Sequence, residues 1–377
     1  MKKLRVGVIF GGRSGEHEVS VRSARTVIDA MDAEKYEVTP IAITKEGKWL
    51  SPAHSSKLLP AETKKLLSGG VIAERRQPSA LIGDPSSNGL VRRESSDEQA
   101  SRERLDVVFP VLHGTYGEDG AIQGWFEMVG IPYVGCGVLA SSCGMDKVTM
   151  KALFHEAGLP ICKHTWTLRK VWDEDRQFVL RSVIRKIGFP CFVKPANLGS
   201  SVGISKATDK PSLEKAIDLA ARYDRRIIIE EGLDAREIEC GVMGNDKVEA
   251  SLPGEYVVHD KAASFLDYTE KYSGTGHVEF VVPAPLSKTQ TARIQRLAVR
   301  AFQALDGAGL ARVDFFLRRD TGEILINELN TLPGLTDVSG FPKMWAATGI
   351  SFPEVIDRLI QLALENYREK SRNETSI

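Results

Sequence analysis

Asp314, Glu328 and Asn330 lie in ARVDFFLRRDTGEILINELN, near the end of a 377-residue chain, and their spacing can do chemistry. Ile324, Leu325 and Ile326 suit a buried strand, but the same strand then carries Asn327, Glu328 and Asn330. Such groups are costly to bury unless something pairs with them. The segment reads as an antiparallel hairpin turning at Asp320-Thr321-Gly322. With all three residues in the loop and Gly322 in the left-handed conformation, Arg319 pairs with Glu323. Counting back sets Asp314 opposite Glu328, with Asn330 and Arg312 on the same face. A shorter loop would set Asp314 opposite Leu329 and disperse the cluster, since a one-residue slip exchanges faces. Two carboxylates and an amide oxygen are hard ligands suited to Mg²⁺ or Mn²⁺. With Arg312 they also make a half-buried ion-pair network, and the hairpin alone leaves both readings open.

An ion held by so few protein groups needs phosphate oxygens to complete its shell. FVKPANLGSSVG supplies a strand, Lys194, and a loop with Gly199, Ser200, Ser201 and Gly203. Backbone N–H groups and hydroxyls of such a loop can cover phosphate while the lysine reaches in as a point charge. A Gly/Ser loop by itself is equally a plain turn, and no G-x-x-x-x-G-K-[ST] loop occurs. The early GGRSGE misses G-x-G-x-x-G because residue 10 is Phe. It still opens a helix, whose N-terminus favours anions.

The elements that must position these residues follow from patterning. LRVGVIF (4–10), YEVTPIAIT (36–44) and DVVFPVL (106–112) read as strands. A helix over 16–30 with Val19, Val27 and Ile28 as candidate core alternates with them, which predicts a parallel α/β domain. Residues 51–104, rich in Ser, Arg and Glu, read as a surface excursion without chemistry. FPCFVKPA and RRIIIEE are strands separated by a helix near 212–223. Beyond 236 the pattern is mostly strands, KVEASLPGEYVV among them, interrupted by one long helix over 288–306 and closed by an amphipathic helix, FPEVIDRLIQLALENYREK. Three domains are expected, 1–134, 135–228 and 229–377.

Fifty acidic and fifty basic side chains cancel, so no global field recruits nucleic acid or a membrane surface, and any anion site must be local. Five scattered cysteines without a CxxC pair argue against a disulfide framework or a zinc site. No run approaches the ~20 apolar residues of a membrane span. The chain reads as soluble and cytoplasmic.

Strand-lysine, Gly/Ser loop, strand-Glu-Glu and a terminal D…E-x-N hairpin, in that order, resemble the ATP-grasp superfamily. More narrowly, GVIFGGRSGEHEVS, FPVLHGTYGEDGAIQG, MDK, FVKPANLGSSVGISK, REIECGV, EKY, ARVDFF and INELNTLPG resemble the D-alanine–D-alanine ligase family. These segments run from residue 6 to about 345. The fold implied is α/β and α+β multidomain, an N-terminal parallel α/β domain followed by the two-lobed ATP-grasp fold.

The resemblance implies that one D-alanine is activated by ATP as an acyl phosphate and a second attacks it through its amine. Lys147 and Lys194 match lysines that contact ATP. Glu230, Glu231 and Leu233 fall at the adenine hinge, Glu237 at the ribose, and Lys271 and Phe316 also in the ATP set. Asp314, Glu328 and Asn330 match ligands of two Mg²⁺ or Mn²⁺ ions. Arg312 and the N–H of Gly334 match oxyanion partners. Glu16, Ser200 and Tyr272 match the set that holds the first D-alanine, with His113 lining its subsite, and Ser339 meets the second substrate's carboxylate. The segment 259–276, carrying Lys271 and Tyr272, resembles the family's mobile lid. Taken singly, Glu16 is equally a first-turn helix acid, His113 a loop residue and Tyr272 an ordinary aromatic. Tyr272, where D-lactate-using relatives tend to carry His, favours the dipeptide. A homodimer is implied by the resemblance only. The alternatives are a D-alanine–D-lactate ligase or another ATP-grasp amino-acid ligase, a non-catalytic nucleotide-binding regulator on the same scaffold, and a dinucleotide-dependent oxidoreductase.

Overall fold

The computed structural model describes residues 2–64, 79–81, 89–92, 102–199, 202–258 and 278–374. Near the N-terminus, Leu4–Gly11 pairs in parallel with Tyr36–Ile43 on one side and Val107–Val111 on the other. Val107–Val111 is buried along its whole length, as expected of a parallel strand covered on both faces. The helix His17–Ala30 lies against this sheet. Its buried residues are Ser20, Ser23, Ala24, Val27 and Ile28, whereas Val19, expected in the core, is half-buried. The inward stripe runs through serines, because two hydroxyls on it have backbone and imidazole partners. Ser20 Oγ bonds the Val111 carbonyl and accepts from Gly11 N, and Ser23 Oγ meets His113.

Residues 51–104, expected as a surface excursion, carry secondary structure where they are described. The described part contains the helix Pro52–Lys57 and three short antiparallel strands, Ser79–Leu81, Gly89–Arg92 and Arg102–Arg104. Strands of three and four residues are too short for alternation to stand out from a charged background.

A four-stranded antiparallel sheet follows, ordered His164–Leu168, Arg226–Glu231, Cys191–Pro195, Ser205–Ala207. Helices Arg176–Lys186 and Lys210–Tyr223 bury Val179, Leu180, Leu213 and Ile217 in its core. The strand Arg226–Glu231 runs across residue 228, the limit expected between the second and third domains. The last sheet is ordered Val278–Val281, Gly254–Val258, Ala235–Gly244, Gly309–Arg318, Ile324–Asn330, with Val248–Ala250 also on Ala235–Gly244. The run over 247–258, expected as one strand, is two: Pro253 has no N–H for a ladder, and the chain breaks there. Helix Lys288–Ala304 covers one face of this sheet with Ile294, Leu297, Ala301 and Phe302.

The hairpin differs from expectation near its turn. Gly322 is left-handed as expected, with φ 70°, but Arg318 N, not that of Arg319, bonds the Glu323 carbonyl. The loop is therefore one residue longer, and Phe315 faces Ile326. A bulge at Asn327 then shifts the ladder by one residue, so that Asp314 faces Glu328 and Arg312 faces Asn330. The expected pairing at the site is present, reached by a different register at the turn.

The terminal helix Phe352–Lys370 crosses back to the beginning of the chain. Val355, Ile356, Leu359 and Ile360 are fully buried in one cluster with Val6, Val8, Val107 and Phe109 of the parallel sheet. Among the described residues no helix is long and apolar enough to cross a membrane.

Candidate active site

A cleft of about 640 Å³ opens between the four-stranded sheet and the last one, lined by Phe192, Lys194, Lys206, Glu230, Leu233 and Phe316 among others. Glu231 and Glu237 also border it. Every residue expected at the adenine and ribose end thus meets at one place, and Lys271 lies outside the described residues. Glu231 is turned partly away, its Oε1 accepting from Lys163 N at 2.7 Å. The strand is covered on both faces rather than alternating: Glu230 ends a run in which Ile227, Ile228 and Ile229 are fully buried.

Glu230 is held by two lysines. Its Oε2 lies 2.6 Å from Lys194 Nζ and its Oε1 2.8 Å from Lys151 Nζ. Burial alone would push its carboxyl up, but the charges of Lys151 and Lys194 outweigh this and hold it far below the usual carboxylate range. Lys194 answers in kind: burial would lower its ammonium, and the charges of Glu230 and Glu328 raise it instead. Glu230 and both lysines are therefore ionised at neutral pH.

Beside the cleft stands the hairpin. Arg312 donates from Nε and Nη2 to the two Asp314 oxygens, 2.6 Å each, and its Nε lies 3.3 Å from Glu239. The antiparallel neighbour strand sets Glu239 directly opposite Asp314. Glu328 lies 3.4 Å from Lys147 Nζ, which also donates to the Leu198 carbonyl at 2.9 Å. Burial acts to raise the Glu328 carboxyl, yet Lys147, Lys194 and Arg312 together bring it down to about 2. Asn330 Oδ1 accepts from Leu332 N at 2.9 Å.

Among the described residues no three acidic, histidine or cysteine side chains converge as a metal cluster. A divalent ion here would rest on Asp314, Glu328, the Asn330 amide and oxygens from outside the protein. That donor set fits Mg²⁺ or Mn²⁺, since all of it is hard oxygen, two of it anionic, and it sits on facing positions of adjacent strands. The ion-pair alternative is also represented, because Arg312 closes on Asp314.

Of the residues expected around the first substrate, Glu16 and His113 fall within the described residues. The Glu16 carboxylate packs against Gly114, where an added Cβ would lie 3.0 Å from Oε2, and near Gly199, where the distance would be 3.8 Å. At Gly114 the approach is tight and φ is 75°, so glycine is required there, whereas the contact at Gly199 would be an ordinary one. His113 is 4% exposed. Its Nδ1 faces the Leu332 carbonyl at 3.2 Å and Glu118 Oε1 at 3.5 Å, and its Nε2 faces Ser23 Oγ at 3.1 Å. Burial would lower this imidazole, but Glu118, Glu16 and the Leu332 carbonyl raise it on balance. Glu118, Lys147, Gly199, Glu328 and Asn330 share a small cavity of about 40 Å³. The loops carrying Glu118 and Gly199 and the start of the helix Lys147–Glu156 therefore meet the hairpin at one point.

Ser339 stands at the N-cap position of the helix Gly340–Ala347 without a side-chain capping bond, its Oγ engaged instead with Thr336 Oγ1 at 2.7 Å. Gly334 lies in the connection between the hairpin and that helix. Ser200 and Tyr272, and the segment 259–276 expected as a lid, lie outside the described residues.

Glu118, Lys151 and Glu239 belong to the site and were not singled out in the sequence. Glu118 could have been found, since it sits inside HGTYGEDG beside His113. Lys151, four residues after Lys147 on one helix, shares its face. Glu239 is the second acid of REIEC, two residues from Glu237 and so on the same strand face.

Comparison with known proteins agrees over the whole chain. The family description "D-ala D-ala ligase N-terminus" matches residues 5–136 and "D-ala D-ala ligase C-terminus" matches residues 153–361. The chain is 48% identical to a D-alanine–D-alanine ligase of Heliobacterium modesticaldum, over 100% of this chain and 98% of that one. Among solved structures it resembles the D-alanine–D-alanine ligase of Coxiella burnetii, with a TM-score of 0.81 and 32% identity over 99% of this chain and 97% of that one. It resembles equally the VanG D-Ala:D-Ser ligase of Enterococcus faecalis, with a TM-score of 0.81 and 34% identity over 96% and 100%.

Proposed function

The chain belongs to the D-alanine–D-alanine ligase family, and from that membership we propose how its residues divide the work. The reaction is ATP-dependent ligation of two D-alanines to D-alanyl-D-alanine, with release of ADP and phosphate, for peptidoglycan precursor synthesis. A carboxylate oxygen of the first D-alanine attacks the γ-phosphorus and ADP leaves. The amine of the second then attacks the acyl carbon, losing a proton, and phosphate departs.

In this reading the 640 Å³ cleft takes the nucleotide, with the base toward Glu230, Glu231 and Leu233, the ribose at Glu237, and the phosphates toward Lys194 and on toward Lys147 at the neighbouring small cavity. Asp314, Glu328 and Asn330 hold two Mg²⁺ or Mn²⁺ ions, which when bound offset charge on the terminal phosphates. Arg312 then exchanges Asp314 for the acyl phosphate and the later oxyanion, aided by the Gly334 N–H. Glu16 takes the ammonium of the first D-alanine, with Ser200 and Tyr272 completing its grip and His113 orienting the loop. Ser339 receives the carboxylate of the second. Lys271 and Phe316 complete the ATP set. Closure of 259–276 keeps water from the acyl phosphate. We further propose a cytoplasmic homodimer with units at 1–134, 135–228 and 229–377.

The observation that supports this assignment most is the meeting of Glu118, Lys147, Gly199, Glu328 and Asn330 around one cavity, within range of the Lys194 charge that also faces the nucleotide cleft. Phosphate release with ATP and D-alanine, L-alanine, D-lactate or D-serine tests it. D-Serine belongs in the set because of the likeness to a D-Ala:D-Ser ligase. Release that needs D-alanine and yields D-alanyl-D-alanine is expected, and release independent of D-alanine overturns the reading.

A further inference from the structure

Lys151 has no part in the assignment above, yet it is 0% exposed, more deeply buried than Lys147 or Lys194 at 8% each. It sits on the helix Lys147–Glu156. Its Nζ lies 2.8 Å from Glu230 Oε1, donates to the Asn327 carbonyl at 3.0 Å and to Cys162 Sγ at 3.5 Å. A buried ammonium is expensive, and an apolar side chain of equal length would fill the same space more cheaply. Two features of the surroundings account for the charge.

One is charge balance. Glu230 touches Lys194 on one oxygen and Lys151 on the other. The three groups together carry one positive charge. Without Lys151, Glu230 and Lys194 would cancel, and the lysine that borders the cleft would present little net charge to an incoming anion. In a buried setting that difference is felt strongly, because the effective dielectric is low. The other is backbone. Asn327 is the extra residue of the bulge that turns Glu328 to face Asp314, and a bulge leaves backbone groups outside the ladder. Lys151 binds that carbonyl, tying the hairpin to the strand that carries Glu230.

We propose that Lys151 is a positioning residue for the nucleotide, offsetting Glu230 so that Lys194 keeps its positive charge for the phosphates while anchoring the bulge that presents Glu328. The proposal rests on the reading of the large cleft as the ATP site.

The test is ADP binding by calorimetry in EDTA, where no metal contributes, on the wild type, Lys151→Met, Glu230→Gln and the double variant. Wild-type binding is measured first: its absence would sink the nucleotide reading itself and not this proposal. Lys151→Met is expected to weaken ADP at least about tenfold, but less than about twofold when Glu230→Gln has already removed the charge to be offset. In steady state the KM for ATP rises while the KM for D-alanine stays within about twofold. Lys151→Gln, uncharged but polar, should lose the same affinity, and serves if the Met variant does not fold. An equal loss in both Glu230 backgrounds, an unchanged ADP affinity, or matching changes in both KM values would each overturn the proposal, leaving Lys151 a purely structural residue.

Discussion

Asp314 and Glu328 face each other across adjacent antiparallel strands only because Asn327 is bulged out of the ladder between them and the turn. Continued from Phe315–Ile326 without the bulge, the same hairpin would set Asn327 opposite Asp314 and send Glu328 to the other face. The two carboxylates thus depend on one irregular residue, and Arg312, Lys147 and Lys194 hold them in place with charge.

Arg312 makes its bidentate contact with Asp314 and reaches Glu239 as well. Arg312→Ala should lower turnover by at least about 100-fold, as for a lost oxyanion donor worth ~2.7–4 kcal/mol, while ADP binding stays nearly unchanged. Lysine should not restore it, because a point charge does not reproduce the fork. Turnover and calorimetric ADP binding check this together, and near-normal turnover removes Arg312 from its role.

His113 is the residue whose titration should be visible in stability. Its imidazole is raised above the ordinary value by Glu118, Glu16 and the Leu332 carbonyl against the opposing effect of burial. A raised folded pKa contributes stability that is complete below the unfolded value of about 6.5 and fades as pH rises through the folded value. The melting temperature of the wild type should therefore exceed that of His113→Gln most at acid pH, with the gap closing toward alkaline pH. A gap that widens with pH would contradict the arrangement around Glu118.

Leu359 is fully buried between the terminal helix and the parallel sheet. Leu359→Ala should cost about 2–5 kcal/mol in denaturant unfolding, as for other buried leucines. Removal of residues after Ser351 should leave the N-terminal sheet unable to fold on its own, read out as loss of soluble protein.

The thiols should be nearly silent in the native state. All five cysteines are free. Burial pushes Cys136 and Cys240 up to about 12, with Cys162 and Cys191 up to about 11. Cys143 is half-buried, and its thiol is raised as well. Since the thiolate is the reactive form, alkylation near neutral pH should label Cys143 at most, and denaturation should release the other four for labelling. Mass spectrometry of the labelled peptides distinguishes the two patterns.

Much of this molecule was legible in its order of residues. Short apolar runs bounded by Gly, Pro and charged residues located the strands Leu4–Gly11, Cys191–Pro195, Arg226–Glu231 and Ile324–Asn330, and amphipathic spacing located the terminal helix, because burial leaves its mark on the residues of a single element. The facing of Asp314 and Glu328 follows from a count that assumes a three-residue loop, but the loop is one residue longer and the bulge at Asn327, which no local pattern records, restores the pairing. What could not be counted needed contacts between distant segments. Lys151 meeting Asn327 and Glu230, His113 meeting Ser23 and Leu332, and the last helix closing the first sheet each join elements far apart in sequence. No local period records such meetings. The residue types alone specified which chemistry was available, and the packing of the sheets and helices decided which groups became neighbours, how deeply they were buried, and which of them stayed charged.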